Sequence, residues 1–337
     1  MLPLVTVVVP MMDEERHIED CLASVLRQTY AADRIEVLVI DGGSHDRGPE
    51  LVRDLAAHDA RVRLIDNPRR IQTVAFNVAI REGRGEYLAL VSAHGAIPEE
   101  YIAHCVEVME ATGADNVGGR TAAVGRSATG RAIAAAWSSR VGVGGAAHHY
   151  GTHDMDAATA YPGFFRRAVF ARVGGFDESL PVHEDYEMNW RIRASGGRVR
   201  YSAGITTEYV VRDSLRALAV QHFRYGIGKA TVALRHRSVM RPYHYVPPLF
   251  VAALGGASLA APISRRARCA LAVLLASYAT VIAAGTVEAG RGRPRKERAL
   301  IPAALVTMHV CWGAGIWAGL AKAVTRGGRR VAHSSEA

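Results

Sequence analysis

Short runs of apolar and β-branched residues alternate with segments of helical periodicity in the first part of the chain. The runs at residues 4–9, 36–40, 61–65 and 86–91 are typical of buried strands, and the segments at 13–28, 51–56 and 71–80 carry apolar residues at helical spacing. Repeated strand–helix–strand units predict an α/β fold with a mostly parallel, Rossmann-like sheet and helices on both faces. In such a fold, ligands bind in the loops that follow the carboxyl ends of the strands.

The middle of the chain has a weaker pattern. Residues 113–161 are rich in Gly, Ala, Ser and His, which predicts loops around one helix near residues 131–140. Beyond this region the pattern predicts a helix over 185–194, a strand over 198–201 and a basic amphipathic helix over 212–234.

Three nearly uncharged apolar runs follow, at residues 246–263, 269–287 and 299–324. Because a helix needs about 17–25 apolar residues to cross the hydrocarbon layer, they predict a membrane domain of about three hydrophobic helices at 246–324. A buried helical core is the alternative. The rest of the chain is expected to form a catalytic domain at 1–240 and a basic, polar tail at 325–337. Basic residues flank the middle run on both sides, so the positive-inside rule leaves the orientation open.

Charge and cysteine usage narrow the choice of partners and compartment. The chain carries 41 Lys and Arg against 32 Asp and Glu, a formal net charge of +9, and arginines crowd residues 212–241 and the gaps between the apolar runs. This distribution favours membrane lipids over nucleic acid, for which the sequence shows no binding motif. Four widely spaced cysteines indicate a reducing compartment. The N-terminal residues do not resemble a signal peptide, so we expect a multi-pass protein of the cytoplasmic membrane whose catalytic domain faces the cytoplasm.

Two polar motifs follow predicted strands. Asp41 ends the second strand in a Gly-Gly-Ser turn, where a doubly wound sheet holds a nucleotide, although an Asp that caps the next helix would give the same pattern. Ser92 and His94 follow the fourth strand, where a divalent cation would neutralise a leaving diphosphate. The imidazole of His94 suits Mn²⁺ better than Mg²⁺, and a purely structural histidine is the alternative.

Two further motifs lie on predicted helices. Asp185 belongs to a His-Glu-Asp-Tyr-Glu segment and could remove a proton from an acceptor hydroxyl, although acids also favour helix starts for electrostatic reasons. Gln221, Arg224 and Lys229 lie on the basic helix. The two cations could bind a donor or lipid phosphate, and a helix face against anionic lipid explains them equally well.

The order and spacing of these motifs resemble those of the family 2 glycosyltransferases, and in particular of their membrane-anchored succinoglycan-biosynthesis branch. The matching motifs are Val-Val-Val-Pro at 7–10, Asp-Glu-Glu at 13–15, Asp-Gly-Gly-Ser-His-Asp at 41–46, Ser-Ala-His at 92–94, Glu-Asp at 184–185 and Gln-His-Phe-Arg-Tyr at 221–225. The resemblance covers nearly the whole chain. It implies a GT-A fold and transfer of a sugar from a nucleotide-sugar donor.

The resemblance also implies roles for particular residues. Asp185 would be the catalytic base, and His94 would be the ligand of a divalent metal, Mn²⁺ or Mg²⁺. The acceptor side would include Gly163, Phe164 and Glu184. The nucleotide and phosphates of the donor would be bound by a larger set: Pro10, Glu14, Asp41, Arg69, Asn77, Ser92, Gln221 and Arg224.

Two positions depart from the family pattern. Asp13 stands where Asn is usual, and Ser92 stands where the branch usually has the Asp of an Asp-Ala-His motif, which removes a carboxylate from the surroundings of the cation. We expect an active, inverting enzyme that uses a UDP- or GDP-sugar and a polyprenyl-diphosphate-linked, or otherwise lipid-linked or membrane-proximal, acceptor. A degenerate, non-catalytic scaffold or binding subunit is one alternative. A processive polysaccharide synthase is another, although Tyr225 replaces the Trp usual in the corresponding motif of those enzymes.

Overall fold

The chain forms two compact units. The computed structural model describes residues 1–146, 149–236 and 239–334, with side chains up to residue 325. The first unit contains Met1–Ala122 and Gly151–Tyr209, and the second contains Ala123–Tyr150 and the chain from Val210 onward. Residues 123–150 and 210–240, which the sequence analysis assigned to the catalytic domain, therefore belong to the same unit as the hydrophobic helices.

In the part of the chain that the structure describes, eight strands form one mixed sheet. They are β1 (Val5–Met11), β2 (Ile35–Asp41), β3 (Val62–Asp66), β4 (Tyr87–Leu90), β5 (Asn116–Val124), β6 (Met155–Asp156), β7 (Tyr161–Arg166) and β8 (Val199–Val210). Their order is β3-β2-β1-β4-β7-β5-β8-β6. The first four are parallel, whereas β7 is antiparallel to β4 and β5, and β6 is antiparallel to β8. The predicted α/β fold is confirmed, and its parallel part is the N-terminal half.

The helices connect the parallel strands and form most of the second unit. They are α1 (Ile18–Leu26), α2 (Gly48–His58), α3 (Gln72–Glu82), α4 (Tyr101–Thr112), α5 (Ala128–Trp137), α6 (Arg140–Val143), α7 (Ala168–Val173), α8 (Glu184–Ala194), α9 (Leu215–Arg235), α10 (Pro242–Ala260), α11 (Arg265–Ala289) and α12 (Arg295–Ser334). A short 3₁₀ turn, Ala32–Arg34, precedes β2.

Both faces of the sheet are covered because successive side chains of a strand point to opposite sides. Val7 and Val9 of β1 pack with residues of α1 and α4, whereas Val8 packs with residues of α3 and α8. All three valines are 0% exposed, and each buried valine contributes about 1.5–3 kcal/mol relative to an exposed one. This core holds the carboxyl ends of β1, β2 and β4 in fixed positions.

The prediction for residues 113–161 was partly wrong. Helix α5 lies near the helix expected at 131–140, but β5 occupies residues that were assigned to loops. The reason is the close approach of β8: a Cβ built on Gly119 would lie 2.0 Å from the carbonyl oxygen of Ile205. Only glycine fits there, and the Gly118-Gly119 pair interrupts the apolar and β-branched pattern by which strands are usually recognised.

The second unit is a helical assembly in which α9 packs against α12. A Cβ on Gly226 of α9 would lie 2.2 Å from the carbonyl oxygen of Trp312, and one on Gly315 of α12 would lie 2.2 Å from that of Phe223. The two backbones are therefore in direct contact. An ion pair between the exposed Arg131 and the buried Glu297 joins α5 to the start of α12, with Arg131 Nε 2.6 Å from Glu297 Oε1.

Two helices in the described residues are long and apolar enough to cross a membrane by length and composition: α11, and residues 295–325 of α12. The first of the three predicted runs lies mainly in α10, which does not meet the same criterion. Its N-terminal half contains His244, Pro247 and Pro248, which lower its hydropathy. Two of the about three hydrophobic helices that the sequence predicts at 246–324 therefore meet the criterion.

Candidate active site

The loops that follow β1 and β2 lie side by side because the two strands are parallel and Met11 pairs with Asp41 in register. Asp13 Oδ1 accepts a hydrogen bond from His45 N at 2.7 Å, and Asp13 N donates to Ser44 Oγ at 2.9 Å. Glu15 N donates to Asp46 Oδ2 at 2.7 Å. Asp13 has a left-handed backbone, with φ +55°, a strained conformation for a residue with a side chain. The hydrogen bonds hold this loop in one shape.

Asp41 lies where the sequence analysis expects the nucleotide. Its side chain is buried, and its carboxylate accepts hydrogen bonds from Ser44 N at 3.1 Å and Ser44 Oγ at 2.6 Å. Gly43 makes the turn possible, since its φ of +76° favours glycine. A cleft of about 640 Å³ opens here, lined by Glu15, Asp41, Ser44, His45, Asp46, Arg47, Pro49, Glu50 and Arg53.

The loops after β1 and β4 bring Glu14, Ser92 and His94 together. His94 Nδ1 lies 3.0 Å from Glu14 Oε1, and Ser92 Oγ lies 3.0 Å from His94 Nε2. His17 Nδ1 lies 3.0 Å from the other carboxylate oxygen of Glu14. Pro10 lies at the carboxyl end of β1, just before this loop. Within the described residues, no group of three or more His, Cys, Asp or Glu side chains is arranged to hold a metal ion.

Arg69 and Asn77 contact protein groups rather than an open cleft. Arg69 forms an ion pair with Glu178, and Asn77 Nδ2 donates to Glu178 Oε1 at 3.0 Å. Both side chains therefore hold the segment that follows α7. The hydrogen bond from Asn77 and the guanidinium of Arg69 lower the pKa of Glu178 despite the opposing effect of burial.

Arg70, which the sequence analysis did not single out, contacts His45 at the edge of the cleft beside Asp41. Arg70 Nη2 lies 3.4 Å from Gly43 O and 3.5 Å from His45 Nε2, and its backbone is left-handed with φ +57°. It also lines a second cavity, of about 240 Å³, together with Ile71, Gln72, Thr73, Leu180, Pro181 and Glu184. The sequence shows two adjacent arginines. It does not show the left-handed backbone at Arg70, which directs the two side chains to different places.

Glu184 and Asp185 open α8 directly after His183, whose φ is +64°. Burial, and then the neighbouring carboxylate of Asp185, raise the pKa of Glu184 to about 7, against the smaller lowering effect of a backbone hydrogen bond. Asp185 Oδ1 accepts a hydrogen bond from Tyr186 N at 2.7 Å. Tyr161, a second residue that the sequence analysis did not single out, lies close enough for burial and the charge of Asp185 to raise its phenol pKa.

The two remaining acceptor-side residues lie on β7. Phe164 is 0% exposed, and its ring centroid lies 5.4 Å from that of Tyr87. Phe164 packs inside the core in this structure, and its place on the acceptor side stays a prediction. A Cβ on Gly163 would lie 2.1 Å from the ring of Phe165, which explains the glycine by packing alone.

Gln221 and Arg224 lie on α9, in the second unit. Gln221 is buried and its Nε2 donates to Tyr225 Oη at 3.0 Å, whereas Arg224 is exposed. Nearby, burial lowers the pKa of His222 to about 4, so this imidazole is neutral at physiological pH.

Comparison with known proteins identifies the class of this molecule. Residues 6–171 match the model of glycosyl transferase family 2. The succinoglycan biosynthesis protein ExoA of Rhizobium meliloti is 35% identical over 313 residues, which is 92% of this chain and 93% of ExoA. The chain therefore belongs to glycosyl transferase family 2, and it is a glycosyltransferase.

Solved structures show the same fold. The mannosyltransferase PcManGT of Pyrobaculum calidifontis, in complex with GDP-Man and Mn²⁺, aligns with a TM-score of 0.66 at 21% identity over 95% of this chain and 88% of PcManGT. TarS 1-349 of S. aureus in complex with UDP-GlcNAc aligns with a TM-score of 0.50 at 14% identity, over 93% of this chain and 90% of TarS 1-349. The catalytic fold is GT-A.

Proposed function

We propose that this glycosyltransferase moves a sugar from a UDP- or GDP-sugar to a lipid-linked or membrane-proximal acceptor, with inversion at the anomeric carbon. The process it serves is assembly of a polysaccharide or related glycan. ExoA, the relative that it matches over almost its whole length, is named for succinoglycan biosynthesis. The PcManGT structure holds GDP-Man and the TarS structure holds UDP-GlcNAc, so the proposal includes both donor bases.

One observation carries the proposal: a chain of contacts in the first unit connects the nucleotide cleft with the pair of acids on α8. Asp41 lines the cleft, Arg70 lies 3.4 Å from Gly43 O beside it, and Arg70 shares the 240 Å³ cavity with Glu184. Asp185 is the next residue. A donor in the cleft and an acid next to the transferred sugar are the two parts that the reaction requires.

The proposed reaction is a single displacement. The acceptor hydroxyl oxygen forms a bond to the anomeric carbon from the side opposite the nucleotide, while the bond from that carbon to the diphosphate oxygen breaks. Asp185 takes the hydroxyl proton as general base, and the nucleoside diphosphate leaves with the bonding electron pair. Arg70 and the groups that line the cleft hold the donor in place for this attack.

The residues beside β4 offer two neutral donor atoms to a divalent cation. His94 offers an imidazole nitrogen and Ser92 a hydroxyl oxygen, and PcManGT carries Mn²⁺ with its nucleotide sugar. Mg²⁺ or Mn²⁺ in such sites takes few protein ligands, and phosphate oxygens and water complete the shell. The cation, when bound, neutralises the charge that develops on the leaving diphosphate.

The hydrophobic helices give the proposed enzyme its location. Helices α11 and α12 would anchor it in the cytoplasmic membrane with the catalytic unit on the cytoplasmic side. A polyprenyl-diphosphate-linked acceptor fits this location, because its reacting end lies at the membrane surface. Arg224 on α9 would contact a donor or lipid phosphate.

The test is turnover by the full chain in detergent. UDP- and GDP-sugars are offered with a lipid-linked or a soluble acceptor in the presence of Mn²⁺, Mg²⁺ or EDTA, and release of nucleoside diphosphate is measured. We expect cation-dependent turnover that prefers the lipid-linked acceptor and that Asp185→Asn abolishes. Asp33→Asn, which removes an exposed carboxylate from the same unit, is the matched control and should leave turnover unchanged.

The alternative hypotheses for the function predict different results in the same assay. A non-catalytic scaffold, suggested by Ser92, binds nucleotide but releases no product, and Asp185→Asn does not alter its role. A processive synthase makes long polymers instead of adding a single sugar. Equal rates with soluble and lipid-linked acceptors would contradict the proposed acceptor class.

A further inference from the structure

The cation site beside β4 lacks the carboxylate that its chemistry calls for. Mg²⁺ and Mn²⁺ bound next to a diphosphate prefer anionic oxygen ligands from the protein. The position at the end of β4 is Ser92, whose hydroxyl is neutral and a weak ligand. His94 supplies one nitrogen but no negative charge. A carboxylate must therefore come from another segment if the site holds a cation as firmly as the proposed reaction requires.

Glu14 is the carboxylate that the fold brings to this place. Its Oε1 lies 3.0 Å from His94 Nδ1, although the two residues lie on the loops after different strands. Two neighbouring ligands of an octahedral cation, each about 2.1 Å from the metal and at right angles, are about 3.0 Å apart. The two atoms are within hydrogen-bond distance of each other in this structure, and the same separation would suit a ligand pair. Both side chains are accessible, with 54% of His94 and 20% of Glu14 exposed.

The surroundings of Glu14 fix the direction of its carboxylate. His17 Nδ1 lies 3.0 Å from Oε2, which leaves Oε1 directed toward His94. The loop itself is fastened to the loop after β2 by hydrogen bonds between Asp13 and both Ser44 and His45. Such outer contacts orient metal ligands and raise the affinity of metal sites.

We infer that Glu14 and His94 together bind the divalent cation, and that Glu14 supplies the carboxylate absent from position 92. This inference rests on the proposed function, because the cation is the one that accompanies the donor diphosphate. It gives Glu14 a role distinct from contact with the nucleotide alone, and it explains how the chain tolerates Ser92.

Binding of Mn²⁺ tests the inference without relying on turnover. Electron paramagnetic resonance measures free Mn²⁺ during titration of the full chain in detergent, once with saturating UDP and once with saturating GDP. Glu14→Gln keeps the size of the side chain but removes its charge and replaces one acceptor oxygen by an NH2 donor. We expect the affinity for Mn²⁺ to fall about tenfold or more. Glu19→Gln, which removes an exposed acid at the start of α1, should have no effect.

A second variant distinguishes loss of a metal ligand from a general structural defect in the loop. Ser92→Asp places a carboxylate at the other side of His94, so Ser92→Asp combined with Glu14→Gln should regain most of the affinity for Mn²⁺. Unchanged Mn²⁺ affinity in Glu14→Gln overturns the inference, as does a loss that Ser92→Asp fails to restore. If Mn²⁺ binds normally and its binding depends on Glu14, but no sugar is transferred, the proposed function is contradicted. The inferred cation site is then still supported.

Discussion

The side chain of Asn77 forms two hydrogen bonds with the backbone of Phe176. Its Oδ1 accepts from Phe176 N at 2.7 Å, and its Nδ2 donates to Phe176 O at 2.9 Å. The sequence analysis expected Asn77 to approach the donor. The contacts instead fasten the segment after α7 to α3, and this segment leads to the acids of α8.

Asn77→Ala should therefore reduce stability as well as activity. Phe176 loses the partners of both backbone groups, which costs about 1–3 kcal/mol and lowers the melting temperature by several degrees. Differential scanning fluorimetry of the full chain in detergent measures this change. Arg81→Ala, on an exposed position of the same helix, is the control and should leave the melting temperature unchanged. A loss of activity with an unchanged melting temperature would favour direct contact of Asn77 with the donor.

Glu184→Gln should make the protein more stable at alkaline pH. Burial and the charge of Asp185 raise the pKa of Glu184 from 4.5 to about 7, so ionisation of this group is unfavourable in the folded state. A group with a raised pKa contributes its full stability below the unfolded value and loses it as pH rises through the folded one. We expect the melting temperature of the variant to exceed that of the wild type at pH 8 and to converge with it near pH 5. Parallel pH curves for the two proteins would contradict this.

Glu36→Gln should have the opposite dependence on pH. Glu36 is 2% exposed and accepts hydrogen bonds from Thr6 Oγ1 at 2.5 Å, Gly85 N at 3.1 Å and Arg84 Nε at 3.0 Å. Burial alone would raise the pKa of Glu36, but these hydrogen bonds and the charge of Arg84 outweigh burial and lower it below 4.5. The stabilisation is therefore present above about pH 4.5 and lost as pH falls through the folded pKa.

The measurement is the melting temperature between pH 3 and 8. Glu36→Gln should lower it at pH 7 by several degrees, because a buried charge-assisted network is broken. The difference from the wild type should shrink toward pH 3. Glu107→Gln, on an exposed position of α4, should match the wild type throughout.

Gly226→Ala should separate α9 from α12. The added Cβ would lie 2.2 Å from Trp312 O, so the backbones must move apart, at a cost of about 1–3 kcal/mol. We expect a lower melting temperature and weaker activity, since α9 carries Gln221 and Arg224. The matched control is Gly255→Ala on α10, where a Cβ meets nothing within 4 Å. Equal melting temperatures and activities of the two variants would show that the close approach of α9 and α12 affects neither stability nor activity.

Regular periodicity made the parallel half of the fold predictable. Strands β1 to β4 are runs of apolar residues, and the helices between them show one apolar face, so burial alone specifies them. Strand β8 was predicted only over 198–201, but it continues to Val210. Apart from Ile205 its middle is polar or small, and neighbouring strands rather than its own pattern determine it. For the same reason β5, with Gly119 against Ile205, was assigned to a loop.

The position of a candidate site residue was predictable where that residue follows a recognisable strand. Asp41, Ser92 and His94 lie at strand ends, as their positions in the sequence indicated. The contact between Glu14 and His94 depends on how two loops pack, and the choice between Arg69 and Arg70 depends on a left-handed backbone at Arg70. Neither property can be predicted from the local pattern of residue types. The burial of Phe164 was not predictable, because its motif marks the strand rather than the exposure of each side chain.

The backbone contact between α9 and α12 has a consequence for the proposed membrane setting. A helix whose apolar length differs from the thickness of the bilayer responds by tilting. Because Gly226 and Gly315 leave no space between the two helices, a tilt of α12 carries α9 with it. The positions of Gln221 and Arg224 then depend on the acyl-chain length of the surrounding lipids. In the proposed setting, bilayer thickness would itself be an effector of the enzyme, and transfer rates in vesicles of graded chain length would report this coupling.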